Sequence, residues 1–270
     1  MSKYIYLFVL LVFIFWFITN TIQNWGYWKI DEYKKKMGLL GSETDVKIAL
    51  GRSGLSKYYD SIAPLIRWGI NVRLTETEEK SLLLGTSKFG GRPDLPSDVE
   101  WPRSANGTPM EFVGQFNLEE AHKADMEEQM PDHGIVYLFF SFSNAVENYS
   151  DPQCFKAIYV KKADGLARRE YPDDVERKQP SKKMDFIEYL SLPTFDWSDL
   201  EKMGMTEAEQ DAYNELSGTH FEIVMLGHIL TVQGPMEYDC EEQRLHRNMG
   251  NLLPEKWEEK CQLFTQLDEW

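Results

Sequence analysis

Cysteine is scarce, and the three that occur, Cys154, Cys240 and Cys261, are far apart with no Cys-x-x-Cys pair. That spacing excludes a disulfide framework and a zinc knuckle, and it fits reduced thiols in a reducing compartment. Basic residues are also in short supply. Lys and Arg total 29 against 44 Asp and Glu, giving −15. Because duplex binding draws most of its affinity from cations neutralising phosphates, nucleic acid is excluded as the expected partner, whereas a basic protein would suit this charge. The chain further lacks a Gly-x-Ser-x-Gly elbow, a His-Glu-x-x-His helix, a Walker loop and a Gly-x-Gly-x-x-Gly turn. Their absence removes the strong signatures of hydrolases, zincins and nucleotide binders, and no cofactor is expected.

What the sequence does hold is apolar. Aromatics at 13% and an apolar share of 42% over 270 residues can fill a sizeable core, so the bulk of the chain should fold. Residues 4–22 form one nearly continuous Leu, Ile, Val, Phe, Tyr and Trp run without charge. At 1.5 Å per residue its length is about 28 Å, close to a hydrocarbon core, so a single-pass transmembrane anchor is expected. No small-residue cleavage site follows it, which argues against a signal peptide. Trp25, Tyr27 and Trp28 suit an interfacial belt. Lys29, Lys34, Lys35 and Lys36 after the span outnumber Lys3 before it, which places the soluble domain in the cytoplasm. The lipid bilayer is thus an expected partner through the N-terminal helix, and without residues 1–28 the net charge is −15 − 1 = −16.

Three regions follow: the anchor at 4–22, a helical connector at 23–60 and a domain at 61–270. The connector has breaks near Gly38, Gly41, Gly51 and Gly54. Ile70, Val72 and Leu74 alternate as a half-buried strand, with Leu82 to Leu84 as its expected partner. Phe112 to Leu118, the continuous apolar run Gly134 to Phe140, Cys154 to Val160, Asp185 to Leu192 and Cys261 to Leu267 read as further strands. Glu119 to Gln129 reads as a short polar helix, residues 164–183 as an exposed loop or edge region, and Thr206-Glu207-Ala208-Glu209 as a capping box. The fold class expected is α+β, with mostly antiparallel sheets and flanking helices.

The most distinctive stretch is Lys88-Phe89-Gly90-Gly91-Arg92-Pro93-Asp94-Leu95-Pro96, followed by Trp101-Pro102 and the strand Phe112-Val113-Gly114-Gln115-Phe116-Asn117-Leu118. With the Gly134 strand, it resembles the YwqG-like family, a domain of unknown function. Leu226-Gly227-His228, with Gln233-Gly234 behind it, resembles that family's later turn, although Ile229 and Thr231 replace its prolines. The resemblance spans residues 60–270 and implies a final strand that this sequence does not reach. Val113 to Asn117 also parallels Phe264 to Asp268, which suggests a diverged internal duplication and, with the missing strand, a truncated copy.

Lys88 and Arg92 flank Gly90-Gly91, a pattern able to make a backbone nest with two cations around an anionic ligand; a tight turn with two solvated cations is the bland alternative. His228 follows the second turn. With Asp239 and Cys240 it supplies metal-ligand residue types, but nothing fixes their geometry, and a hydrogen-bonded structural histidine is expected instead of a metal site. Asp132 and His133 could act as acid and base, but on a strand they would point apart. Trp101 and Phe89 read as core aromatics. The weak ligand-binding set is therefore Lys88, Gly90, Gly91, Arg92 and His228. The expected function is a membrane-anchored, non-catalytic binding module for a protein or small ligand. An enzyme with its site near the two turns, or a degenerate truncated copy, are the alternatives; convergence of Lys88, Arg92 and His228 in one pocket would favour the enzyme.

Overall fold

The computed structural model describes residues 29–104, 106–141, 155–162, 164–175, 177–195, 197–217 and 223–228. Among these, no helix is long and apolar enough to cross a membrane. The expected anchor at 4–22, the duplicate strand at Cys261 to Leu267, and Asp239 and Cys240 lie outside the described residues.

The expected mixture of helices and antiparallel sheet is present. Strands β1 (Arg67–Glu76), β2 (Lys88–Phe89), β4 (Glu111–Asn117), β5 (Ile135–Phe140), β6 (Phe155–Val160), β8 (Lys182–Ser191) and β9 (Val224–Leu226) form a seven-stranded sheet in the order β6-β5-β4-β2-β8-β1-β9. Every neighbouring pair is antiparallel. Two short strands, β3 (Asp94–Pro96) and β7 (Leu166–Arg168), pair separately. The long β1–β8 ladder, Arg67↔Ser191 through Glu76↔Lys182, forms the spine of the sheet. Both strands are rich in β-branched and aromatic residues, which suit a half-buried pleated surface.

Apolar side chains explain what packs where. Val72, Phe116, Leu118, Val136 and Met184 gather on one side of the sheet, where the short helix α4 (Leu118–Ala121) and the following turn add Ala121, Ala124 and Met130. Under β3, Leu95, Phe112, Tyr137 and Phe139 form a second cluster, and Trp101 packs edge-on to Phe139 while donating its indole N–H to Met110 O at 2.8 Å. A third cluster is helical: α2 (Glu43–Arg52), α3 (Tyr59–Ile62), α5 (Trp197–Lys202) and α6 (Glu207–Ser217) supply Val46, Leu50, Ile62, Leu200 and Tyr213 around Leu192, just past the end of β8. Helix α6 opens with the expected capping box: Glu209 N–H donates to Thr206 Oγ1, and Thr206 N–H donates back to Glu209 Oε2 at 2.9 Å.

The segment read as connector is integrated into this body. Helix α1, residues 29–37, lays Ile30, Tyr33 and Met37 against Ile187, Tyr189 and Val224. Tyr33 Oη donates to Asn71 Oδ1 at 2.9 Å, Lys34 pairs with Glu188 at 2.5 Å, and Leu190 N–H donates to Leu40 O at 2.6 Å.

Three local expectations are corrected. Leu82 to Leu84 make a turn instead of a strand, with Leu82 buried and Leu83 exposed, because Glu79–Ser81 already form a 3-10 turn that reverses the chain. The polar helix after Leu118 stops early, at Ala121, and continues only as the 3-10 turn His122–Ala124. The stretch after 164 holds the short strand β7, as an edge region would, but it is not exposed throughout, since the half-buried Arg168 turns in toward Asp94.

Candidate functional site

Gly90 and Gly91 both have positive φ, +63° and +67°, where a side chain is strained. A Cβ on Gly90 would also lie 2.4 Å from Pro180 O. The pair turns the chain off β2 so that Arg92 and β3 double back across Gln115 of β4. Gly90 N–H donates to Val113 O at 2.8 Å and Gly91 N–H to Gln179 O at 2.9 Å, so these two groups are spent on the turn itself. The next N–H, that of Arg92, donates to Glu79 Oε1. An anion does sit at this turn, and it is the protein's own Glu79 carboxylate.

Lys88 and Arg92 bracket that carboxylate from two sides. Arg92 Nε donates to Glu79 Oε2 at 2.7 Å and its NH1 pairs with Glu170. Lys88 is wholly buried, with its ammonium 3.9 Å from Glu79 Oε1 and 3.1 Å from Asp94 Oδ2, out of line for a hydrogen bond to any of the described groups. Neither a nest open to an external anion nor a pair of solvated cations describes this arrangement, which is an internal ion network. The reason is the doubling back of β3: Lys88 is opposite Gln115, whose amide bonds Asp94, so Asp94 and the Arg168 that pairs with it lie over the Lys88 side chain.

Asp94 is the hub. Its Oδ1 accepts from Arg168 Nε at 2.8 Å; its Oδ2 accepts from Gln115 Nε2 at 2.9 Å and Gly85 N–H at 3.1 Å. Its own N–H donates to Gln115 Oε1 at 2.8 Å, and Tyr137 Oη donates to its carbonyl at 2.6 Å. Arg168 completes the shell by donating to Glu79 O and Leu82 O. Burial alone would raise the Asp94 carboxyl, but the Arg168 hydrogen bond, the Lys88 charge and the Gly85 N–H outweigh it and hold the group below the ordinary aspartate range. Glu79 behaves likewise, raised by burial but held down by Arg92 and Lys88. For Lys88, burial wins over Asp94 and pushes the ammonium below its ordinary value.

Beside this network lies an open cleft of roughly 640 Å³, walled by Glu76, Glu78, Glu79 and Arg92 with Tyr171 and Ser181. Tyr171 Oη donates to Gly91 O at 2.5 Å, and burial pushes its phenol up to about 12. Ser181 Oγ is shielded from solvent and has no hydrogen-bond partner among the described residues.

His228 is elsewhere. Its N–H donates to Ser191 Oγ at 3.0 Å and its Nε2 lies 2.7 Å from Leu65 O. Lys88 is opposite Lys183, at the other end of β8 from Ser191. At about 3.3 Å per residue, those two positions are roughly 26 Å apart. Lys88, Gly90, Gly91 and Arg92 are therefore brought together, and His228 is not. The side chains of Asp132 and His133 meet at 2.6 Å on the exposed turn before β5, correcting the expectation that they point apart; they sit ahead of the strand, where alternation does not apply. Among the described residues no group of three His, Cys, Asp or Glu is placed to hold a metal.

Four residues of the network escaped the sequence reading: Glu79, Asp94, Gln115 and Arg168. Asp94 and Gln115 stand inside the two stretches that carry the family resemblance, so the signal was present but read as turn and strand. Arg168 gave none, because a lone arginine in a charged stretch looks solvated.

An antiparallel α+β domain with a buried ion network at a diglycine turn is the class that fold and site define. The chain belongs to the family described as domain of unknown function DUF1963, whose model matches residues 87–269, from just before the diglycine turn onward. No curated protein matches it significantly.

Proposed function

We propose that this chain is a membrane-anchored, YwqG-like member of its family that acts as a non-catalytic binding module, with the cleft beside Gly91 and Arg92 as the contact surface. The observation that carries this reading is how the candidate cations are used. Lys88 and Arg92 are committed to Glu79, Asp94 and Glu170, and His228 stands at the far end of the sheet, so these candidates do not converge as a set of free acid, base and nucleophile among the described residues. The cleft is open, a shape suited to a protein surface or peptide more than to an enclosed substrate. Glu76 and Glu78 on its walls, the latter in a solvent-exposed pair with Lys80, and −16 for the chain beyond residue 28, support a basic protein as partner. The anchor and cytoplasmic placement rest on the apolar run at 4–22 and the lysines behind it.

The test is in-cell crosslinking of the full chain with identification of what co-purifies, beside a Glu76→Gln, Glu78→Gln variant. Both residues line the cleft but lie outside the Asp94 shell, so the variant should fold. One protein recovered near stoichiometrically with the natural chain and lost with the variant is the expected result. Equal recovery from both would remove the cleft from the account. A reporter fused after Trp270 should be active only on the cytoplasmic side.

A further inference from the structure

Helix α1 is not a loose spacer, and the way it docks says where the cleft lies. Traced backward from Leu40, which accepts from Leu190 N–H, the chain reaches Tyr33 beside Asn71 and within cation–π distance of Arg73, 5.3 Å from guanidinium to ring. Leu190 is opposite Trp68 in the β1–β8 ladder, so going from Leu40 to Tyr33 the chain advances along β1 toward Glu76, the strand's last residue and a wall of the cleft. From Arg73 to Glu76 is about 10 Å along the strand. Between the apolar run ending at 22 and the docked helix starting at 29, residues 23–28 reach roughly 20 Å at full extension.

Resting on the anchor and binding-module reading above, we infer that α1 fixes the domain with its cleft end toward the bilayer, and that the cleft receives a Lys/Arg-rich juxtamembrane segment of another membrane protein. The ligand chemistry follows from place and charge together. Segments flanking a membrane span on its cytoplasmic side are enriched in Lys and Arg, while an anionic headgroup would meet Glu76 and Glu78 at the same surface. The clamp is built for permanence: Tyr33 Oη bonds the buried Asn71, Lys34 pairs with Glu188, and Ile30, Tyr33 and Met37 cover Ile187 and Tyr189.

The experiment uses the full chain in phosphatidylcholine liposomes carrying a headgroup quencher, with Cys154, Cys240 and Cys261 changed to serine. A fluorophore is placed through Lys80→Cys, near the cleft, or through Asp60→Cys, in the helical layer at the other end. Stronger quenching at position 80 than at 60 is expected; equal or reversed quenching overturns the orientation. Failure of either protein to float with the liposomes would instead sink the anchor reading, and this inference with it. Co-reconstituted single-span peptides then carry either a Lys/Arg flank or a serine flank. The basic flank should bind, and Glu76→Gln, Glu78→Gln should weaken it on the order of fivefold. No discrimination between flanks, or preferential capture of anionic lipid added to the liposomes, overturns the ligand class.

Discussion

Glu79 occupies the position that an anionic ligand would take at the Gly90–Gly91 turn, and much about the individual residues follows from that. Arg92 is partly exposed and its ion pairs are screened, so Arg92→Ala should cost about 1 kcal/mol in urea unfolding. Asp94 is fully buried and serves Arg168, Lys88, Gln115 and Gly85 at once. Removing it strands the buried Lys88 ammonium and the half-buried Arg168 guanidinium, and Asp94→Ala should cost about 3–5 kcal/mol, read by the same unfolding. The pH dependence has a definite sign. Asp94 and Glu79 are held below their ordinary values in the folded state, so the unfolded chain takes up these protons first as pH falls. Their stabilisation is complete above the unfolded carboxylate range, about pH 4, and is lost as pH drops through it toward the lower folded values. Melting temperature against pH should therefore fall on the acid side, and the fall should shrink in Asp94→Asn.

Elements carry a second set of consequences. The diglycine turn needs positive φ at both positions and has backbone of 180 pressed against Gly90, so Gly90→Ala should cost roughly 2 kcal/mol or more, with native-state hydrogen exchange speeding up first along β2 and β3. The α6 capping box predicts about 1 kcal/mol for Thr206→Ala, confined to that helix. Elements of this kind are where the sequence was most legible. Alternation marked β1, a continuous apolar run marked β5, and Thr206-x-x-Glu209 marked the start of α6, because each is a local pattern with a local cause. Leu82 to Leu84 misled, since an apolar triplet has no period; the 3-10 turn at Glu79–Ser81 decided its conformation. The ion network was illegible for a different reason. Lys88 looks solvated in any window of sequence, and only the doubling back of β3, which brings Asp94 against it, puts it inside.

For the whole molecule, two ends of one sheet have separate characters. The Ser191 end is closed by the helical layer around Leu192, where His228 is tied to Leu65 and Ser191. The Lys183 end holds the ion network and the cleft, and α1 rises toward it from Leu40. Because α1 is part of the packed body, deleting residues 29–42 should expose Ile187 and Tyr189 and lower the melting temperature by several degrees, which calorimetry would show. The central claim is that Lys88 holds the turn together and binds no ligand. Its most direct test is Lys88→Met, with unfolding free energy and partner capture measured on the same preparation. The account predicts a loss of about 2 kcal/mol, since Asp94 keeps Arg168, Gln115 and Gly85, with capture intact. Unchanged stability with capture abolished would contradict it, and would make Lys88 a ligand-binding group after all.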